Sequence, residues 1–233
     1  MPIYFTCSDP KYIVYMGKDK FENEKLIANA WPEDIWFHVD KYSSAHIYLR
    51  LPAGSVELMG VKDKDVAKKM LQEAIASVPK TVIDEMCQLT KANSIEGCKL
   101  AQCDIVYTPA LNLKKEERMD TGQVGFKDES FRLLLRNIEK DKEIVKQIEK
   151  TRIEREDVDL VEEKQQRDNE ERARRKQIMA EEKRRAKEEE SKRVQEEELK
   201  SYSALQHLEK TSNENVNKSG TVEECREIED DFM

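Results

Sequence analysis

The stretch from Asp34 to Arg50 reads DIWFHVDKYSSAHIYLR. Ile35, Phe37 and Val39 alternate with Trp36, His38 and Asp40, and later Ile47 and Leu49 alternate with His46, Tyr48 and Arg50. Successive side chains of a strand point to opposite faces, so both halves have the period of a strand. The polar DKYSS between them has the composition of a turn. The stretch therefore predicts a strand–turn–strand with Ile35, Phe37, Val39, Ile47 and Leu49 on a core face. Trp36, His38, His46, Tyr48 and Arg50 share the opposite face, which the alternation predicts to be the polar one.

The neighbouring segments extend this sheet. IYFTC and YIVYM flank the turn cluster SDP and read as a hairpin. Gly17 ends the second of these strands, and Phe21, Leu26, Ile27 and Ala30 are spaced for the inward face of a short helix. Downstream, Val66, Met70, Leu71, Ala74 and Ile75 mark one helix, and Pro79 opens a second carrying Val82, Ile83, Met86 and Leu89. CDIVYTP is a strand, and GQVGF with FRLLLR reads as a closing strand pair joined by KDES. This order predicts an α+β fold with a mostly antiparallel sheet and packed helices.

Composition divides the chain. Of its 233 residues 39% are charged and 6% aromatic, against roughly 25% charged in an ordinary globular chain. From Glu139 to Lys200, 40 of 62 residues are charged, whereas five of six Phe, both Trp and six of seven Tyr precede that block. The division predicts a globular domain over 1–138, a long charged helix over 139–205, and a disordered acidic tail over 206–233. Large apolar residues almost vanish after Val161, so the a and d positions a coiled coil needs are missing. Glu163–Arg167, Glu170–Arg174, Glu171–Arg175, Glu181–Arg185, Glu188–Lys192 and Glu189–Arg193 instead offer i,i+4 pairs to a solvated helix. Such a helix, or the acidic EIEDDFM end, is a surface for a protein partner. The Lys/Arg clusters at 172–176 and 183–187 have the composition of nuclear localisation signals.

The formal charge of −8 comes largely from the last 33 residues, with 3 basic and 8 acidic, while 1–138 is nearly neutral at 19 and 20. A neutral domain can still carry a local basic patch. Five cysteines without a CxxC point to a reducing compartment. Neither a signal peptide nor a transmembrane run is legible, which places the chain in the cytoplasm or nucleus.

His38, Asp40, Ser44 and His46 hold the ingredients of a hydrolase, and His38 and His46 could act as acid and base on an RNA 2′-hydroxyl. The serines lack the Gly-flanked elbow that exposes a nucleophile. H-x-D-x₅-H matches no standard metal frame, and no P-loop or dinucleotide fingerprint is present, so no cofactor is called for. A binding surface fits the residue types better. Trp36, His38, His46 and Arg50 combine rings that stack on bases with a cation for phosphate. Lys18 and Lys20 precede a helix start, where N–H groups favour anions, and Lys114 and Lys115 could extend the patch.

YMGKDKFENEKLI, DIWFHVDKYSSAHIYLR, KANS and YTPALNLKK followed by GQVGF resemble the NFACT-R domain, once called domain of unknown function 814. Gly17, Lys18, Asn23, Asp34, Trp36, His38, Ser44, His46 and Arg50 fall on that family's characteristic positions, with Asp34 and Asn23 expected to be structural and Asp34 to cap or brace the turn into its strand. The resemblance implies a non-enzymatic module that binds RNA, tRNA or the ribosome. The domain recurs in quality-control factors that recognise stalled large subunits, but the further regions they use for peptide tailing are not in this sequence. The resemblance also carries an alternative, a plasma-membrane-associated sensor that binds extracellular DNA and signals through a partner.

Overall fold

A computed structural model describes residues 2–56, 61, 63–116, 118–155 and 159–218. Contacts divide the chain into one compact unit from Met1 to Ala173 and a second from Arg174 on.

The first unit is built on a seven-stranded sheet in which every neighbouring pair is antiparallel. At its centre β3 (Asp34–Val39) lies between β4 (Ile47–Arg50) and β5 (Gln102–Pro109), pairing Trp36 with Tyr48 on one side and with Thr108 on the other. Beyond β4 come β2 (Ile13–Met16) and β1 (Ile3–Phe5), the predicted hairpin. Helix α1 (Lys20–Ala28) follows β2, and α2 (Lys64–Ala76) and α3 (Lys80–Ala92) follow β4. The predicted α+β fold is the fold of the chain.

The period-2 reading of Asp34–Arg50 is correct in phase. Ile35, Phe37, Val39, Ile47 and Leu49 join Val14 and the α3 residues Val82, Met86 and Leu89 in one core. The opposite face is not polar surface. Tyr15, Trp36 and Tyr48 form a second core with Leu26 and Ala30 of the α1 segment and Leu113. Trp36 is 2% exposed and Tyr48 fully buried. A sheet covered on both sides cannot show its second cover in the alternation of one strand, because the covering residues lie far away in sequence.

The first turn of α1 explains one misplacement. Phe21, predicted inward, is 64% exposed, and Glu22 and Asn23 are buried in its place. Asp19 caps the helix, accepting from the N–H groups of Phe21 and Glu22, while Glu22 reaches back to the Lys18 N–H at 2.8 Å. That reciprocal cap turns Glu22 toward the protein and Phe21 away from it. In α2, likewise, Val66 is exposed while Ala74 and Ile75 reach the core.

The predicted closing pair is also rearranged. β7 (Gly125–Phe126) pairs with β6 (Leu113–Lys114) in a separate small sheet, and β8 (Leu133–Glu139) pairs with β5. The Asn112 side chain separates them. It accepts from the Asp128 N–H and donates to the Asp128 carbonyl, both at 2.9 Å, and so turns the chain between β7 and β8.

The predicted helix over 139–205 is broken and longer. Asp141 caps a short α4 (Lys142–Glu149), which buries Ile148 in the first core. The chain then adds β9 (Ile153–Glu154) to the outer edge of β1 before α5 (Leu160–Lys218) begins. Thr151 holds this crossover, accepting the Thr6 N–H at 2.9 Å. The first turns of α5 belong to the first unit. Leu160 packs on the second core, and Arg167 meets both oxygens of Glu33 at 2.7 and 2.9 Å. In the second unit, Arg184–Glu188 and Arg193–Glu197 lie within 3.6 and 3.8 Å, basic residue first. Residues 206–218, assigned to the tail by composition, continue the helix, and the rest of that predicted tail lies outside the described residues.

Candidate nucleic-acid interface

β3 and β4 carry two different constructions on their second-core face. At the end where Asp34 pairs with Arg50, the carboxylate is fully buried. It accepts from Arg50 Nε at 2.8 Å, Arg50 Nη2 at 3.1 Å, the Tyr15 hydroxyl at 2.7 Å and the Trp31 backbone N–H at 2.7 Å. The guanidinium lies 3.6 Å from the Trp31 ring centre. Asp34 thus braces the turn into its strand, as expected. Arg50, expected to meet phosphate, is 9% exposed and its guanidinium is engaged by Asp34 and the Tyr15 hydroxyl.

At the other end of the hairpin the rings of Trp36, His38 and His46 meet. Trp36 and His38 stack with centroids 5.2 Å apart, and His46 stands edge-on to both at 5.2 Å. Phe126 from β7 approaches Trp36 at 6.1 Å. These rings floor a cleft of about 980 Å³. One wall is the turn from Gly17 into α1, another is the 121–124 loop, and the 40–45 turn closes a third.

The electrostatics of the floor follow from burial. Burial pushes the His46 imidazole down to about 3, helped by His38 and opposed by the Gly122 backbone and Glu24. Burial also lowers His38, against the pull of the Val39 carbonyl, which its Nδ1 meets at 2.7 Å, and of Asp40. Both rings are therefore neutral at neutral pH. Ser44 has its hydroxyl committed, accepting from the Val39 N–H and donating to the Ala45 carbonyl, each at 3.1 Å.

The cations predicted for the site separate into three groups. Lys18 and Lys20 line the cleft on its exposed rim, Lys18 with the Glu154 carboxylate 3.8 Å from its ammonium. The nearby α1 N-terminus is not an open anion site, because the Asp19 carboxylate already takes its N–H groups. Lys115 holds the wall instead of lining it: its ammonium meets Glu24 at 2.6 Å and the Asp120 and Gln123 carbonyls at 2.7 and 3.0 Å. Burial would raise the Glu24 carboxyl, but the Gly122 N–H and Lys115 outweigh it and hold that group below its ordinary value. Lys114 is paired with Glu116 at 2.6 Å, outside the cleft lining.

Sequence reasoning missed Lys41, Tyr42 and Arg132 on the rim. Lys41 sits in the predicted turn at a φ of 67°, and Tyr42 beside it is exposed. Their place in the turn was the available signal. Arg132 had none, since it reaches the rim from 92 residues away to meet Asp40 at 2.7 Å. Asp19, Asp40 and Glu129 share the rim, so its basic character is local.

A family profile described as NFACT protein RNA binding domain matches residues 1–128. The chain belongs to the NFACT-R family. Over its whole length it is 51% identical to the coiled-coil domain-containing protein 25 homolog of Dictyostelium discoideum, covering all of that protein. It is 49% identical to coiled-coil domain-containing protein 25 of Danio rerio, again over all of both chains. A solved structure of the C-terminal of the fibronectin/fibrinogen-binding protein from Streptococcus suis aligns with a TM-score of 0.46 at 17% identity, covering 63% of this chain and 48% of that one. The NFACT-R match takes in the ring floor, the lysines of the rim and the 121–124 wall. It ends before Arg132, β8 and the helices α4 and α5. Among the described residues no helix is long and apolar enough to cross a membrane.

Proposed function

We propose that this chain is a non-enzymatic RNA-binding protein that takes a single-stranded segment of tRNA or ribosomal RNA into the cleft of its NFACT-R domain. One observation carries the reading. The segment matched as an RNA-binding domain contains a cleft with a neutral aromatic floor and lysines on its rim. RNA sequence is read on unstacked bases that meet aromatic rings, while phosphates are held by Lys and Arg. A floor without charge and a rim with it separate those two tasks.

A binding role is favoured over hydrolysis of RNA. A histidine acid–base pair needs one imidazolium, and burial keeps both His38 and His46 neutral at neutral pH. Ser44 has its hydroxyl engaged within the hairpin.

The test is salt dependence. With Lys18, Lys20 and Lys41 each neutralising one phosphate, log K against log salt has a slope of about −2 for a single strand. Changing all three to Ala flattens it and weakens every RNA alike. A flat response in the unaltered protein, or no binding at low salt, refutes the reading. Incubation of radiolabelled RNA with the unaltered protein must leave it full length; specific cleavage abolished by His38→Ala would make the chain an enzyme.

A further inference from the structure

Among the described residues four buried side-chain atoms have no hydrogen-bond partner, the Tyr48 hydroxyl and three on residues that line the cleft: Asn23 Oδ1, Trp36 Nε1 and His46 Nδ1. These three residues are 8%, 2% and 2% exposed. Buried polar atoms without a partner are uncommon, and each calls for an explanation. Here three belong to residues that line one cleft.

Their chemistry narrows what could satisfy them. The indole N–H only donates, the amide oxygen only accepts, and a neutral imidazole nitrogen does one or the other by tautomer. An anion suits the indole but is repelled by the amide oxygen. A cation is refused by the indole N–H, which also cannot ligate a metal. Water fits each atom singly and leaves the rings uncovered. The group that supplies donors and acceptors on the edge of a flat, neutral ring is a nucleobase. The Trp36–His38 stack and Phe126 offer it aromatic surface.

Gly17 belongs to the same device. A Cβ there would lie 2.2 Å from Asn23 Oδ1 and 3.1 Å from the Asn23 nitrogen. Any other residue would displace the amide, so the glycine keeps the acceptor where it stands at the cleft wall.

We infer that the floor of this cleft selects one extruded base of a single-stranded RNA, whose entry opens the closed surface over Asn23, Trp36 and His46 so that they read its hydrogen-bonding edge. The inference rests on the RNA-binding reading above and adds base discrimination to it. Phosphate contacts at the rim carry affinity, and the floor carries preference.

The experiment measures affinity of the full chain for labelled oligo(A), oligo(C) and oligo(U) of about twelve nucleotides, near the span of small single-strand modules. The expected result is a preference of about tenfold or more for one of them, the discrimination typical of a good edge contact. Trp36→Phe keeps a ring and removes the donor. Gly17→Ala keeps every reading atom and displaces the acceptor. Both are checked for an unchanged thermal transition, and either one, folded, should reduce the preference to about threefold or less. The salt slope, set by the lysines, should stay. Equal affinity of the unaltered protein for all three oligonucleotides, or a full preference kept by both folded variants, overturns the inference and leaves RNA binding standing. Absence of binding to any oligonucleotide overturns the RNA-binding reading itself, and this inference with it. Free nucleosides should compete far more weakly than the strand; competition at equal concentration would make the ligand a free nucleoside and overturn the strand as its source.

Discussion

His46 makes the stability of the domain depend on acid in a way that can be worked out from one residue. In the folded protein its imidazole stays neutral down to about pH 3, whereas the unperturbed value is 6.5. Between those values the unfolded chain holds a proton that the folded chain does not. Stability rises with pH wherever the unfolded state binds more protons, so here it falls as the solution is acidified. Above pH 6.5 both states are neutral and the linkage vanishes. Below it, each pH unit costs about 1.4 kcal/mol, so at pH 5 the loss is about 2 kcal/mol. His38, also lowered by burial, adds a loss of the same sign. The assay is urea unfolding followed by tryptophan fluorescence, because Trp31 and Trp36 both report on the first unit. Other groups titrate over this range, so the informative quantity is the difference between the unaltered protein and His46→Gln. That difference should move by about 2 kcal/mol in favour of the variant from pH 7.5 to pH 5. Parallel curves would mean that His46 ionises as readily folded as unfolded, and the account of a buried, neutral imidazole in the floor would be wrong.

Further outcomes follow from named contacts. Asp34→Ala leaves the Arg50 guanidinium buried without its counter-ion and should cost about 3–5 kcal/mol in urea unfolding; a loss under about 1 kcal/mol would show that the brace is dispensable. Arg167→Ala removes the partner of Glu33 and Glu171, so amide exchange across 160–173 should accelerate while β3 and β4 stay protected. Truncation after Ala173 should leave the fluorescence-detected stability and the RNA affinity unchanged. Truncation before Glu162 removes Arg167 and should lower stability by about 2 kcal/mol or more.

The hairpin of Asp34–Arg50 was legible because strand alternation is a local code. Its phase assigned Ile35, Phe37 and Val39 to one face and Trp36, His38 and His46 to the other, as found. What local patterning could not carry was the depth of the second face. Leu26, Leu113 and Leu160, which pack against it, come from three separate segments. The engagement of Arg50 and Lys115 was hidden for a related reason. A cation in a sequence looks available, and only the fold reveals that Asp34 or Glu24 has already claimed it. Lys91 is the extreme case: fully buried, it donates to the Ile138 carbonyl at 3.1 Å and the Ala101 carbonyl at 3.3 Å from the last turn of the otherwise amphipathic α3. Lys18, with Glu154 3.8 Å away, and Lys20 line the cleft, where the Gly17–Asp19 turn, itself a short-range signal, puts them. The charged block beyond Glu139 hid α4 and β9, whose apolar content is too sparse to stand out from their surroundings.

Strand β9 has a consequence for solubility. A sheet edge presents unpaired N–H and C=O groups and can recruit the edge of another molecule. Here Ile153 and Glu154 occupy the open side of β1, and Glu154 pairs at 3.0 Å with Arg152 just before the strand. Two residues are too few to template a further strand, and their charges discourage one. The same chain that builds the sheet supplies its stopper. A cut between α4 and β9 would uncover β1 as well as remove Leu160 and Arg167, so self-association and precipitation would add to the loss of stability.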